Sequence, residues 1–330
     1  MSDAPFDGLI GSRERRYRNA HRDTAPVPET AEPSGQEYMF IEDVRRHALP
    51  YGLGADDGYD VEIASASEEV GDLVRDALPI RGYRHWRLED SLRDYMGSAL
   101  WFLVQGDLFL EIEYFRKPED AFGRPVAFRV EFLQPELVDR RFGSYRYLVP
   151  SESNETEETL WIREKLEAAS LVVVSLPRRL RREVNRALRA IRAADQDLRV
   201  MTDFTTGRYG ANSGFDFTSF QRESRDIVLR ATAATGWSGR GLYTEGLLDP
   251  EKAWRAIQFE RFVAALRDAA LAGLQRAIDR AGAQVGFTAQ LELARVLIAG
   301  ELDGMKRDLN AGTRPMGELL NPRHNGDWSF

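Results

Sequence analysis

The chain has 330 residues, 43% of them hydrophobic, a net charge of −8 and no cysteine. That apolar content suffices for one large or two ordinary domains, and the missing cysteines exclude disulfides, thiolate catalysis, iron–sulfur clusters and cysteine-ligated zinc. The acidic balance argues against nucleic-acid binding by bulk charge, no apolar run nears the ~18 residues that span a bilayer, and no signal-peptide core is evident, so a soluble chain made in a cytoplasm is expected.

Residues 1–36 are rich in Pro, Ser, Asp, Glu and Arg and lack apolar periodicity, which predicts an arm that is disordered alone. Arg13, Arg15, Arg16, Arg18, His21 and Arg22 form a small basic patch within it, either a solvated tail or a contact with a neighbouring subunit or anionic partner. From Glu37 the chain reads as a short helix ended by Pro50, a loop, a strand from Val61, and a helix with a Ser65-to-Glu68 capping pattern. Leu92, Tyr95, Met96, Ala99 and Leu100 place one apolar face on a helix over 88–103. Leu108, Leu110, Ile112 and Tyr114 then alternate with Phe109, Glu111, Glu113 and Phe115, a period-two strand. VAFRVEFL, stopped by Pro135, and FGSYRYLVP complete a predicted three-stranded antiparallel meander with one solvated face. SESNETEE is an acidic loop, TLWIREKLE is amphipathic, and SLVVVSLP is a buried strand or a core connector.

After Pro177 comes a helix loaded with Arg178, Arg179, Arg181, Arg182, Arg186, Arg189 and Arg192, with Leu180, Val184, Ala187, Leu188 and Ile191 on the other side. Its basic side is either a solvated face or a contact with phosphate or acidic neighbours. Asp203 to Phe217 reads as a glycine- and aromatic-rich turn module, and Ser219 to Thr235 as a helix. Gly236, Gly239, Gly241 and Gly246 then punctuate a loop, because so many glycines cost too much backbone entropy for a helix interior. Asp249 and Pro250 read as N-cap and first residue of a long helix. Phe259, Phe262, Val263, Leu266, Ala270, Leu274, Ala277 and Ile278 recur at spacings of three and four, one apolar stripe along roughly 30 residues or about 45 Å. One or two further helices are expected after Phe287, then an extended tail.

Few residues carry recognisable chemistry. There is no phosphate-binding G-x-x-x-x-G-K-[ST] and no G-x-S-x-G elbow, and Gly239-x-Gly241 lacks the third glycine of a dinucleotide fingerprint. His21, His47, His85 and His324 are scattered without metal-ligand spacing. No catalytic residue, metal or cofactor is therefore expected. One enzymatic alternative is a metal-dependent nuclease using Asp107, Glu111 and Glu113, with Lys117 beyond; two carboxylates on a solvated sheet face explain the same pattern. The Trp237 to Gly246 loop either cradles phosphate on backbone N–H groups or is a connector with Trp237 as its packing anchor.

The segment from Gly106 to Pro150 resembles the wing β-region of tailed-bacteriophage portal proteins. The matching residues are GDLFLE (Gly106 to Glu111), GRP (Gly123 to Pro125), LQPELV (Leu133 to Val138), and Tyr145 with Tyr147. The order of elements over residues 40–320 is also similar to that family, although the chain is short for it and its clip is minimal. The resemblance implies an α+β, portal-like fold: an arm (1–36), a wing-like α/β region (37–170), stem helices with a small clip-like module (171–236), a tunnel-like loop (237–248), a long wing helix (249–282) and a helical crown-like region with a tail (283–330). It implies no enzymatic activity and a homo-oligomeric ring of about twelve subunits closed by heterologous interfaces. The ring would sit at the capsid vertex of the virion as a conduit for DNA packaging and ejection. Double-stranded DNA, terminase, a head–tail adaptor and capsid protein are the implied partners, with no membrane. Trp237, Arg240, Glu245, Arg178, Arg181, Arg182, Arg186 and Arg189 are then the DNA-channel candidates, and Phe259, Phe262, Val263 and Leu266 the packing or oligomer candidates. A virion adaptor or scaffold without a pore is the remaining alternative.

Overall fold

A computed structural model gives residues 6, 9–12, 33, 35–51, 59–64, 67–78, 87–120, 123–141, 143–150, 161–205, 217–239 and 247–320. The acidic stretch 151–158, residues 206–216 of the expected turn module, Arg240 and Glu245, and most of the arm and tail lie outside these described residues. The fold is mixed helix and strand with antiparallel sheets. It divides into two units, neither contiguous in sequence: residues 1–31, 49–175 and 268–295 form one, and 32–48, 176–267 and 296–330 the other. Among the described residues no helix is long and apolar enough to cross a membrane.

The first unit is built on strand β3 (Leu108–Arg116), which is preceded by β1 (Ile10–Gly11) and β2 (Asp60–Ala64). Its one edge pairs with β4 (Ala127–Leu133) through Phe109↔Leu133 to Phe115↔Ala127. The other edge is shared: β8 (Leu171–Val174) covers Leu108 to Glu111, and β1 covers Phe115 and Arg116. Both faces of this sheet are covered. On one, helix α3 (Leu88–Gln105) stacks Tyr95 on Phe132. Helix α6 (Asp249–Val285) brings Gly273 against Val174 on the same side. On the other, Phe109, Leu133, Leu166 and Leu171 pack with Val138, Tyr145 and Tyr147.

Those last residues belong to a second sheet, which corrects the predicted meander. The chain from 138 to 150 is two strands, β5 (Val138–Arg141) and β6 (Ser144–Pro150), paired with β7 (Trp161–Lys165) and not with β4. Pro135, which opens a short 3₁₀ turn and lacks an N–H for a ladder, ends β4 and frees the chain to start a new layer. The amphipathic TLWIREKLE segment supplies the third strand of that layer.

A second correction concerns residues after Gly286. QLELA, expected within a helix, is strand β9 (Gln290–Ala294) pairing with β2 in the register Val61↔Leu293 and Ile63↔Leu291. Gly286, at φ 101°, ends α6, and Arg295 forks onto Asp60 to pin the strand. Helix α2 (Glu68–Ala77) follows β2 as expected, but Ser67 occupies its N-cap position and makes no side-chain cap bond.

The second unit is helical. It contains α1 (Gly35–Ala48), α4 (Arg178–Thr205), α5 (Phe217–Ala231), the first half of α6, α7 (Ala299–Ala311) and α8 (Met316–Leu320). Helix α4 runs past the expected end and includes Asp203 to Thr205, read from the sequence as part of a turn. Helix α6 has 37 residues, so it is about 55 Å long. The Leu248 carbonyl accepts from Glu251 and Lys252, which shifts the N-cap one residue before Asp249. Ala253 and Ile257 of α6 form a small core with Leu302, Met305 and Leu319.

Candidate nucleic-acid interface

Helix α4 is two-faced because its apolar residues fall at spacings of three and four. Val184, Ala187, Leu188, Ile191 and Ala194 are buried. Arg178, Arg182, Arg186 and Arg189 are exposed. At 100° per residue these four lie within about 80° of one another, opposite the buried side, and span about 16 Å along the axis. Among the described residues no carboxylate pairs with Arg178, Arg182 or Arg186, and Arg189 donates only to the Asn185 carbonyl of its own helix. Arg179 pairs with Glu183 at 3.1 Å, and Arg181 is half-buried. The stripe is thus a row of guanidinium groups available for oxygen anions, which they grip in a bidentate manner.

The other end of this helix is held differently. Arg192 donates two hydrogen bonds, at 2.6 and 2.5 Å, to the buried carboxylate of Glu37 on α1. That contact raises the Arg192 pKa. Asp195 accepts the Gln36 backbone N–H at 2.8 Å, capping the start of α1. One Arg-rich sequence therefore separates into arginines tied to carboxylates, Arg179 and Arg192, and the exposed stripe of Arg178, Arg182, Arg186 and Arg189.

Trp237 lies at the end of a packed turn formed by residues 232–237. Its indole is buried, donates to Asp43 at 3.0 Å and meets Phe40 edge-on. Its carbonyl accepts from the Thr232 hydroxyl and from Arg255. Gly236 has φ 77°, and a Cβ there would lie 2.4 Å from the Arg255 carbonyl oxygen, so only glycine fits. Trp237 is the anchor of this turn, and its side chain faces the unit's interior. The loop that continues through Arg240 and Glu245 is outside the described residues.

Phe259, Phe262, Val263 and Leu266 are buried within the second unit. Phe262 stacks on Phe40 at 6.0 Å, and Phe259 lies edge-on to His47, whose Nδ1 is 2.8 Å from Glu260. They pack the chain's own core. Arg255 was missed by the sequence reading although its signal is present: it stands four residues before Phe259 on the same buried stripe. Its guanidinium donates to the Leu229 and Trp237 carbonyls, and burial lowers its pKa.

Glu111 and Glu113 are buried, which corrects the solvated face expected for them: the sheet carries a layer on each side. Glu113 pairs with Arg129 at 2.8 Å, and Arg129 also reaches Glu131 at 3.1 Å. Among the described residues no group of three or more His, Asp or Glu is placed to hold a metal ion. No protein-family model matches the chain, and no curated protein matches it.

Proposed function

We propose that the chain is the subunit of a portal-like ring at a bacteriophage capsid vertex, through which double-stranded DNA passes and on which terminase, a head–tail adaptor and capsid protein dock. The observation that carries this reading is the succession of elements. A two-layered β region leads into a 28-residue helix with an exposed arginine stripe, then α5, a packed turn ending at Trp237 and a 37-residue helix, with Gly239, Gly241 and Gly246 between the last two in the sequence. That succession agrees with the stem, tunnel loop and long wing helix implied by the sequence resemblance. No catalytic role is assigned in this reading, in which Glu113 of β3 serves as the buried ion-pair partner of Arg129.

In this reading Arg178, Arg182, Arg186 and Arg189 contact phosphate, and Arg240 and Glu245 belong to the loop that faces the channel. Trp237 holds the root of that loop. Phe259, Phe262, Val263 and Leu266 keep the subunit rigid enough to close a ring. The test is the mass of the purified chain by native mass spectrometry, with images of the particles. A closed ring of about twelve copies with an axial hole is expected; a monomer, a dimer or a solid oligomer without a hole overturns the reading. Deleting residues 238–244 should leave the ring mass unchanged and impair DNA retention.

A further inference from the structure

Helix α4 carries its exposed guanidinium groups in a single file. Arg178, Arg182, Arg186 and Arg189 follow one another at steps of four, four and three residues, so they rise about 6, 6 and 4.5 Å along the axis. On one flank of the file Arg179 and Glu183 neutralise each other at 3.1 Å, and on the other stands Asn185, exposed and uncharged. Ala193, also exposed, follows on the same face and adds no charge. The helix thus offers one narrow line of cations with no second line beside it. From Arg178 to Asp195 it also has no aromatic residue, and so no platform on which a base could stack.

The phosphates of a duplex come in two lines. Those of one strand advance about 3.4 Å along the axis and lie further apart along their winding path, while the other strand stands across a groove about 6 or 12 Å wide. The steps of the file fit successive phosphates of one strand. A second strand alongside would meet Asn185 or the Arg179–Glu183 pair, and neither supplies net charge. We propose that the file grips the phosphodiester backbone of one nucleic-acid strand, one guanidinium to each phosphate, whatever its bases and whether or not a complement is present. Binding then extends to single strands, which the passage of a duplex does not demand. Such contacts position a backbone and carry no sequence information. The proposal rests on the reading of these arginines as phosphate contacts and does not depend on ring closure.

The test titrates the full chain with a thymidine oligonucleotide, an abasic strand and a duplex, each about twelve residues long, between about 50 and 200 mM salt. Four contacts give log K against log salt a slope of about 2.8 for the single strands and about 3.6 for the duplex. The thymidine and abasic strands should bind within about threefold of each other, since nothing stacks on the bases. The variant Arg178→Gln/Arg182→Gln/Arg186→Gln/Arg189→Gln should lose the single-strand slope while its thermal midpoint stays at the wild-type value. A single-strand slope below half that of the duplex means that both strands are needed; it overturns the proposal and leaves the phosphate reading standing. A thymidine strand held more than about tenfold tighter than the abasic one means that bases are read, and single-strand binding that survives the fourfold variant lies elsewhere on the chain; either result overturns the proposal. Absence of binding by every probe refutes the phosphate reading along with it. Native mass on the same samples keeps the portal separate: single-strand binding by a chain that forms no ring upholds the proposal and refutes the portal alone.

Discussion

Half-buried Tyr51 and buried Arg255 show how the polar contacts of one side chain hold local backbone in each unit. The Tyr51 hydroxyl donates to the Val61 carbonyl and accepts the Val61 N–H, closing the chain between α1 and β2. Burial is the main cause that pushes its pKa from 10.0 up to about 12, opposed by the bond to Val61. A raised folded-state pKa means the fold prefers the protonated phenol. That contribution is complete below pH 10 and is lost as pH rises from 10 towards 12. Tyr51→Phe should cost about 1 kcal/mol at neutral pH and flatten part of the alkaline loss, read from denaturant midpoints between pH 8 and 11.5; an unchanged alkaline limb would refute the assignment. Arg255→Met preserves volume but leaves the Leu229 carbonyl without its guanidinium donor and removes one from Trp237. A loss of about 2–4 kcal/mol is expected, since buried acceptors keep their desolvation cost. Equal thermal midpoints for Arg255→Met and wild type would mean water replaces those bonds. The sequence left Trp237 between a phosphate-cradling loop, a channel position and a packing anchor, and its buried indole bonded to Asp43 supports the anchor. The buried position of Arg255, four residues before Phe259 on the apolar stripe, was legible, but its partners were not, since they are carbonyls and carry no side-chain signature.

At the scale of elements, the packing of α6 on β8 turns on one missing methyl. A Cβ at Gly273 would lie 2.5 Å from Val174 Cγ2. Gly273→Ala gains about 1 kcal/mol of helix propensity but overpacks a rigid β-branched contact at about 1–3 kcal/mol. The net effect should be destabilising, and Val174→Ala in the same chain should recover part of it, a coupling that a double-mutant cycle measures directly. Strict additivity would show that the helix shifts instead. The same geometry explains what was legible. Helices α3, α4 and α6 are long enough for a 3.6-residue period to identify them, and β3 and β4 alternate plainly. The burial of Glu111 and Glu113 was not legible, because alternation reports two faces and says nothing of a second layer covering the polar one. Nor was β9: QLELA has good helix formers, and only its partner β2, more than two hundred residues earlier, makes it a strand. The exposed arginines of α4 were visible as a run, whereas their division from Arg192 depended on Glu37, a residue on a distant helix.

At the scale of the whole molecule, two electrostatic terms oppose each other. The chain carries a net charge of −8, which repels a polyanion, while Arg178, Arg182, Arg186 and Arg189 attract it locally. Range decides between them. At physiological salt the Debye length is about 8 Å, so distant carboxylates are screened while a phosphate touching the stripe feels the guanidinium groups. In the proposed channel such a contact would be weak, salt-sensitive and non-specific, as sliding DNA requires, whereas a strongly basic wall would hold it. The triple variant Arg178→Gln/Arg182→Gln/Arg186→Gln tests this on the assembled protein with duplex DNA titrated between 50 and 200 mM salt. Each lost phosphate contact lowers the slope of log K against log salt by about 0.9, so a fall of up to about 2.7 is expected. Because these side chains are exposed, thermal stability should stay within about 0.5 kcal/mol of wild type. An unchanged slope with unchanged assembly would make the stripe a solvated face and remove it from the proposed channel. A fall in slope accompanied by loss of ring mass would assign the arginines to contacts between subunits, and the salt dependence of assembly would then follow the same three residues.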